Sequence, residues 1–144
     1  MKGYLAGTPD GTVGADALVE VKCPMKCKEN SLEDVAKTDS TFCLEYDNEK
    51  DKLALKKTHN YYHQIQGQLH VAGRSKCFFL VWSPTEHHLE TVDYDPQFWE
   101  EIEETLDQFF MNCLLPEIAD PRAPRGLPVR EPEYILEVGS QFFV

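Results

Sequence analysis

The sequence predicts a single domain of the α/β (α+β) class, in which short strands alternate with helices. Apolar segments of strand length occur at residues 17–22 and 77–82, whereas residues 58–72 repeat apolar side chains at helical spacing. The chain has 144 residues, of which 42% are apolar and 27% charged. That size and composition suit one compact domain with its own hydrophobic core.

The N-terminal region is predicted to form two short strands joined by turns. Tyr4-Leu5-Ala6 is expected as the first strand, and the Pro-Asp-Gly sequence within Thr8–Gly11 is a strong turn signal. The second strand is expected at Ala17–Lys22. Pro24 ends it, because proline cannot donate to a strand ladder.

The second strand carries the residues that suggest chemistry. Leu18, Glu20 and Lys22 alternate along it and therefore share one face. Nine residues separate Asp10 from Glu20, so a hairpin would bring the two carboxylates together, where they repel unless a cation lies between them. Mg²⁺ prefers such oxygen ligands, and the backbone carbonyl of Val21 is a further candidate ligand.

A metal ion and a lysine together suit the hydrolysis of a phosphodiester. The ammonium of Lys22 could orient and help deprotonate an attacking water, and could stabilise charge on the phosphate. The structural alternative is that Pro-Asp-Gly is an ordinary turn and Glu20-Val21-Lys22 an ordinary exposed strand. The combination favours function, because two charged residues interrupt an otherwise apolar strand.

Further elements follow from capping and breaking signals. Ser31 precedes acidic residues, which is typical of a helix start. A helix is predicted over residues 58–72, with Thr58 as its cap and Gly73 as its stop. This helix would contain Gln64, and Gln68 one turn later on the same face.

The second half of the chain is predicted to contain a strand pair and a long helix. Cys77–Trp82 reads as a buried strand, with Leu89–Tyr94 as its partner. Asp95-Pro96 opens the helix by a cap-then-proline signal. Prolines recur from Pro116 onward, so an extended C-terminal tail is expected.

The charge of the chain opposes binding to a polyanion. The net charge is −11, and affinity for nucleic acids arises largely from Lys and Arg. Much of the acid lies in Glu100–Asp107, whereas lysines cluster at residues 22–28 and 52–57. A polarised charge distribution could therefore still hold DNA on one side.

The five cysteines do not form a convincing metal site. They are scattered without a CxxC pair, so reduced and mostly packed thiols are expected, and a structural metal protein is a distant alternative. No run of 18 apolar residues and no signal-peptide pattern occurs, so we expect no membrane association and an intracellular location. That location would be the nucleus in a eukaryote and the cytoplasm for a phage or bacterial protein.

Three motifs in this order resemble those of the YqaJ-type viral recombinases: Gly7–Gly11, Leu18–Pro24 and Tyr61–Leu69. This family is similar to phage lambda exonuclease and lies in the PD-(D/E)xK nuclease superfamily. The resemblance covers roughly residues 4–117. It implies a restriction-endonuclease-like fold, with a mixed central sheet flanked by helices, in a nuclease domain at residues 1–118 before a Pro-rich tail at 119–144.

The resemblance also implies roles for individual residues. Asp10 and Glu20 match the metal-binding acids, Lys22 the catalytic lysine and Gln64 a glutamine that helps arrange the site. Gln68 is a weaker candidate, because glutamine is also an ordinary residue of a helix surface. The implied cofactor is Mg²⁺, with Mn²⁺ as an alternative.

The implied activity is a DNA exonuclease of the recombination type that acts on duplex ends. Homo-oligomers and a single-strand annealing protein are the implied partners. Nucleases of this kind usually carry an acidic residue on a helix before the first strand, and only three residues precede Tyr4. We therefore expect this helix to be missing, and the alternative function is a nuclease-derived DNA-binding or interaction module without catalysis.

Overall fold

The computed structural model describes residues 2–47 and 51–132. Its strands are β1 (Gly11–Val13), β2 (Ala17–Lys22), β3 (Leu44–Asp47), β4 (Lys52–Leu55), β5 (Lys76–Trp82) and β6 (His87–Asp93). Its helices are α1 (Leu32–Thr38), α2 (Asn60–Ala72), α3 (Pro96–Phe109) and α4 (Leu115–Ala119). Short 3₁₀ turns occupy Met25–Cys27 and Ala123–Arg125, and a π-helical segment, Phe110–Leu114, joins α3 to α4.

The four-stranded sheet is mixed, with the strand order β1-β2-β5-β6. Strands β2 and β5 are parallel, whereas β1 pairs with β2 and β6 with β5 in antiparallel fashion. A parallel pair needs a long crossover connection. Here that connection contains α1, the separate antiparallel hairpin β3–β4, and α2. The α+β class predicted from the sequence is confirmed.

The core lies on one face of this sheet. Leu18 pairs in register with Cys77, and Phe79 points to the same face two residues further along β5. Helix α2 lies against β5 and contributes Ile65 and Leu69, and all five side chains are almost completely buried. The face that holds Leu18 also holds Glu20, so the candidate site is built at the end of the core.

Several predicted elements are confirmed. Ser31 caps α1, since its hydroxyl oxygen accepts a hydrogen bond from the Asp34 backbone N–H at 3.0 Å. Gly73 ends α2 with φ +61°, a left-handed conformation that favours glycine. The predicted strand pair is β5 and β6, and the long helix begins at Pro96 as expected.

Two predictions are wrong: the position of the first strand and the identity of the residue that caps α2. Tyr4-Leu5-Ala6 forms no strand, because this segment turns back, with the Leu5 N–H donating to the Lys2 carbonyl. The strand that pairs with β2 is Gly11–Val13 instead, closed by a turn in which Gly14 has φ +59°. Thr58 does not cap α2, since the His59 ring nitrogen Nδ1 accepts the Tyr61 N–H at 3.1 Å.

The described residues form two compact units that divide between Pro96 and Gln97. Within the second unit, Arg130 pairs with Glu117 and Asp120 and ties the chain after α4 to the end of that helix. The expected tail is thus partly ordered by ion pairs, and its residues 133–144 lie outside the described part. The predicted domain boundary at residue 118 stays a prediction. Across residues 2–47 and 51–132, no helix is long and apolar enough to cross a membrane.

Candidate active site

The β1–β2 register brings Asp10 and Glu20 to the same place. Gly11 pairs with Val19, so the next position outward in this register sets Asp10 opposite Glu20. The Asp10 carboxylate accepts a hydrogen bond from the Val21 N–H at 2.7 Å. In this register Val21 would pair with Pro9, which lies two residues before the first residue of β1, and the Asp10 side chain accepts the Val21 N–H instead. The proximity expected from the nine-residue spacing is therefore present.

Glu20 is a buried carboxylate with three side-chain donors. It is 2% exposed. Its Oε1 atom accepts from Lys22 Nζ at 2.6 Å and from Gln64 Nε2 at 2.8 Å, and its Oε2 atom accepts from Gln68 Nε2 at 3.0 Å. These donors replace the water that the carboxylate would lose on burial, and the lysine adds an opposite charge.

Helix α2 supplies the two glutamines because they are four residues apart and so lie on one helix face. Gln64 also accepts a bond from Lys22 Nζ through its Oε1 atom, at 3.3 Å. Gln66 lies between them in sequence and points elsewhere, bonding to the Asp93 carbonyl and the Asp95 N–H. Gln66 thus fixes α2 to the end of β6, while Gln64 and Gln68 face the acid.

The orientation of the Gln68 amide follows from its partners. Its Nε2 atom bonds to Glu20 and to the Thr8 carbonyl, and both of these groups are acceptors, so the nitrogen must face them. The Gln68 Oε1 atom is consequently left buried without a hydrogen-bond partner among the described residues. An oxygen in this state is suited to a cation or to a donor on a substrate.

Gly7 is adapted to the same contact. A Cβ atom on Gly7 would lie 3.2 Å from the Gln68 Cα atom and 3.3 Å from its Cγ atom. A larger residue would therefore push the Thr8 carbonyl away from the amide that it accepts from. The first and third sequence motifs, separated by about 60 residues, meet at this point.

Tyr61 is a member of the site that sequence reasoning missed. Lys22 Nζ lies 4.4 Å from the centroid of the Tyr61 ring, at cation–π distance. The ring also packs edge-on against His59, with centroids 4.6 Å apart. Tyr61 is the first residue of the Tyr61–Leu69 motif and precedes Gln64 by three residues. This spacing places both on one helix face, which is the sequence signal that could have identified Tyr61 as a site residue.

The donor set fits Mg²⁺ with water completing its shell. Mg²⁺ is usually held by one or two carboxylates and keeps several waters, and Asp10 and Glu20 supply two carboxylates. The Val21 carbonyl faces the same edge of β2 as the Val21 N–H that Asp10 accepts, because both groups of one residue point to one neighbouring strand. No group of three or more His, Cys, Asp or Glu within residues 2–47 and 51–132 could hold a metal.

The cysteines are free thiols outside this site. Cys27, Cys43 and Cys77 are buried, whereas Cys23 is exposed. Burial raises the pKa of Cys43 to about 11 and that of Cys77 to about 12, and the charge of Glu20 adds to the second shift. These thiols act as apolar core residues, as the sequence predicted.

Comparison with solved structures gave a similarity of fold. The crystal structure of an alkaline exonuclease from Laribacter hongkongensis superposes on 94% of this chain with a TM-score of 0.51 and 21% sequence identity. The chain spans 55% of the length of that exonuclease. No protein-family model matches the sequence, and no curated protein gave a significant match. The similarity is one of fold, and the mixed sheet flanked by helices is consistent with the restriction-endonuclease-like arrangement expected from the sequence.

Proposed function

We propose that this chain carries the active site of a Mg²⁺-dependent DNA exonuclease of the recombination type. Such an enzyme hydrolyses phosphodiester bonds at the ends of duplex DNA. The observation that carries the proposal is the meeting of Asp10, Glu20, Lys22 and Gln64 at the end of β2. The fold that the chain shares with an alkaline exonuclease supports it. A homo-oligomer and a single-strand annealing partner remain part of the proposal.

In this proposal, Asp10, Glu20 and the Val21 carbonyl would hold the metal, with Mn²⁺ as an alternative. When bound, Mg²⁺ supplies Lewis acidity toward the phosphate and positive charge that offsets the phosphate's own charge. The Lys22 ammonium, which now contacts Glu20, is in reach to donate to an attacking water and to a phosphate oxygen. Gln64 bridges Glu20 and Lys22 and holds both in place.

A digestion assay tests this proposal. Linear and covalently closed circular duplexes are incubated with the protein in Mg²⁺ or in EDTA, and released nucleotides are measured. We expect release from the linear duplex in Mg²⁺ only, and a loss of at least about 100-fold in Asp10→Asn and Lys22→Met. Lys37→Met is the matched control, because Lys37 forms an exposed ion pair with Glu33 outside the site.

A second candidate is a DNA-binding module without catalysis. The specific observation in its favour is that all donors to Glu20 come from the chain itself, with Lys22 Nζ already at 2.6 Å from Oε1. An arrangement satisfied in this way would keep its structure without a metal. Duplex binding in EDTA, combined with no nucleotide release in either metal from any substrate, would establish this candidate instead.

A further inference from the structure

A cavity of about 270 Å³ lies directly beside the candidate active site. The residues that line it include the aromatic residues Tyr61, Phe42 and His59, together with Met25, Lys26 and Thr41. All of these residues belong to the first compact unit. The site proposed above leaves this cavity without a role.

The cavity is close to the candidate catalytic residues both in space and in sequence. Tyr61 forms part of its wall and also lies 4.4 Å from Lys22 Nζ. Met25 follows Lys22 by three residues and lies in the turn after β2. A group bound in the cavity would therefore be held next to the position of the scissile phosphate.

The lining suits a flat heteroaromatic ring. Aromatic and thioether surfaces stack on such rings, and base–aromatic stacking tolerates every base. Burial lowers the pKa of His59, which favours the uncharged form of its ring and a polar edge without a charge. The volume is slightly below the roughly 300 Å³ at which pockets for drug-sized ligands begin, which matches one ring system.

The charges around the cavity suit a phosphate backbone. Within residues 2–47 and 51–132, Lys28 and Lys56 have no carboxylate partner, and Lys56 Nζ donates to the Ser40 carbonyl. Lys28 directly follows the Met25–Cys27 turn, and Lys56 lowers the His59 pKa through its charge. Lys26 is compensated by its ion pair with Asp39. Lys56 thus places an uncompensated cation near His59, and Lys28 lines a neighbouring cavity that shares Pro24 and Met25 with this one.

We propose that this cavity binds one unpaired nucleobase of the DNA strand whose phosphate lies at Lys22. The inference rests on the proposed function for the position of the phosphate. A base in the cavity is removed from its duplex stack, so the site would favour ends that fray or carry a single-stranded overhang. Stacking between Tyr61 and Met25 would place the adjoining phosphate at the acids.

Binding in EDTA tests the cavity separately from catalysis. Two fluorescent duplexes carry a one-nucleotide overhang that either bears its base or is abasic, and the full chain is titrated into each while anisotropy is followed. We expect the abasic duplex to bind roughly tenfold more weakly, as loss of one base–aromatic stack predicts. Met25→Ala should remove most of this difference, and because the Met25 side chain is 79% exposed, the substitution should leave the fold intact.

Met111→Ala is the control, since Met111 is also exposed and lies in the second unit. It should retain the preference for the base. Equal affinity for the two duplexes, no duplex binding, or an equal loss for both in Met25→Ala would overturn the cavity proposal. Nucleotide release with no base preference would support the nuclease function and overturn the cavity proposal. Base-dependent binding without any cleavage would support the cavity proposal and overturn the nuclease function.

Discussion

Glu20 lies in the protein interior, and a buried carboxylate is stable only where donors replace its lost water. Lys22, Gln64 and Gln68 provide these donors, so the same contacts that stabilise the fold also prepare the site. The sequence could predict Asp10, Glu20 and Lys22 as a group, because alternation and hairpin spacing are local. It could not predict Tyr61 on Lys22, since that contact depends on how α2 is placed.

Gln68→Leu should lower the free energy of unfolding by roughly 1–3 kcal/mol. The change leaves the Glu20 Oε2 atom and the Thr8 carbonyl without their donor while preserving most of the volume. Urea denaturation measures the effect. Gln108→Leu, at an exposed position of α3, should change stability by less than about 0.5 kcal/mol. Equal effects of the two substitutions would contradict the role given to Gln68.

Two buried thiols should make the fold sensitive to alkali. The folded pKa of Cys43 is raised to about 11 and that of Cys77 to about 12, from an ordinary value of 9.0. A raised folded pKa gives stability that is complete below pH 9 and is lost as the pH rises through 11–12. At pH 10 each thiol should cost about 1 kcal/mol. Comparing urea midpoints at pH 8 and pH 10, Cys43→Ala should show a shallower decline than the wild-type chain.

Among the helices and strands, the sequence predicted those whose positions are determined by a local periodicity of apolar residues. Strand β5 and helix α2 have unambiguous apolar spacing and Gly73 ends the helix, so their positions were correct. Strand β1 was misplaced because Tyr4–Ala6 and Gly11–Val13 are both short, and only pairing with β2 selects between them. The hairpin β3–β4 was missed, because its residues lie in a polar stretch where pairing rather than pattern forms the strands.

Gly7→Ala should separate the Asp10 segment from α2. The new Cβ atom would meet the Gln68 Cα atom at 3.2 Å, and a backbone atom cannot rotate out of the way. We expect a loss of roughly 1–3 kcal/mol in stability. Nucleotide release should fall by about 100-fold, because a displacement of about 1 Å in a catalytic group has that effect.

Gly3→Ala is the control for this substitution, since no atom lies within 4 Å of its Cβ position. It should leave both stability and nucleotide release unchanged. If Gly7→Ala lowered stability but left release intact, the contact between Gly7 and Gln68 would be structural only. The precise approach of two motifs far apart in sequence would then have no bearing on the chemistry.

At the scale of the whole molecule, the net charge of −11 and a DNA substrate are compatible only if charge is unevenly distributed. Five acidic side chains lie on α3, in the second unit: Glu100, Glu101, Glu103, Glu104 and Asp107. The lysines near the site, including Lys28 and Lys56, belong to the first unit. The net charge of the chain is therefore informative about solubility, but it does not give the charge of the surface that would face a phosphate.

This distribution gives a prediction about salt. A protein that contacts phosphates through lysines releases about one counterion for each contact, and the logarithm of its affinity falls linearly with the logarithm of salt concentration. Replacing Lys28 and Lys56 together by glutamine should reduce that slope by about 2 in EDTA titrations with duplex DNA. The reason is that neither lysine has a carboxylate partner in the described part of the chain, so both charges are available to DNA.

The matched control replaces Lys37 and Lys76, which pair with Glu33 and Asp16 and have the same formal charge. Both double variants change the net charge by the same amount, so a general effect of charge would alter the two slopes equally. A change confined to the Lys28 and Lys56 variant would locate the phosphate contacts beside the cavity and the acids. Identical slopes would show that DNA, if bound at all, is held on another surface.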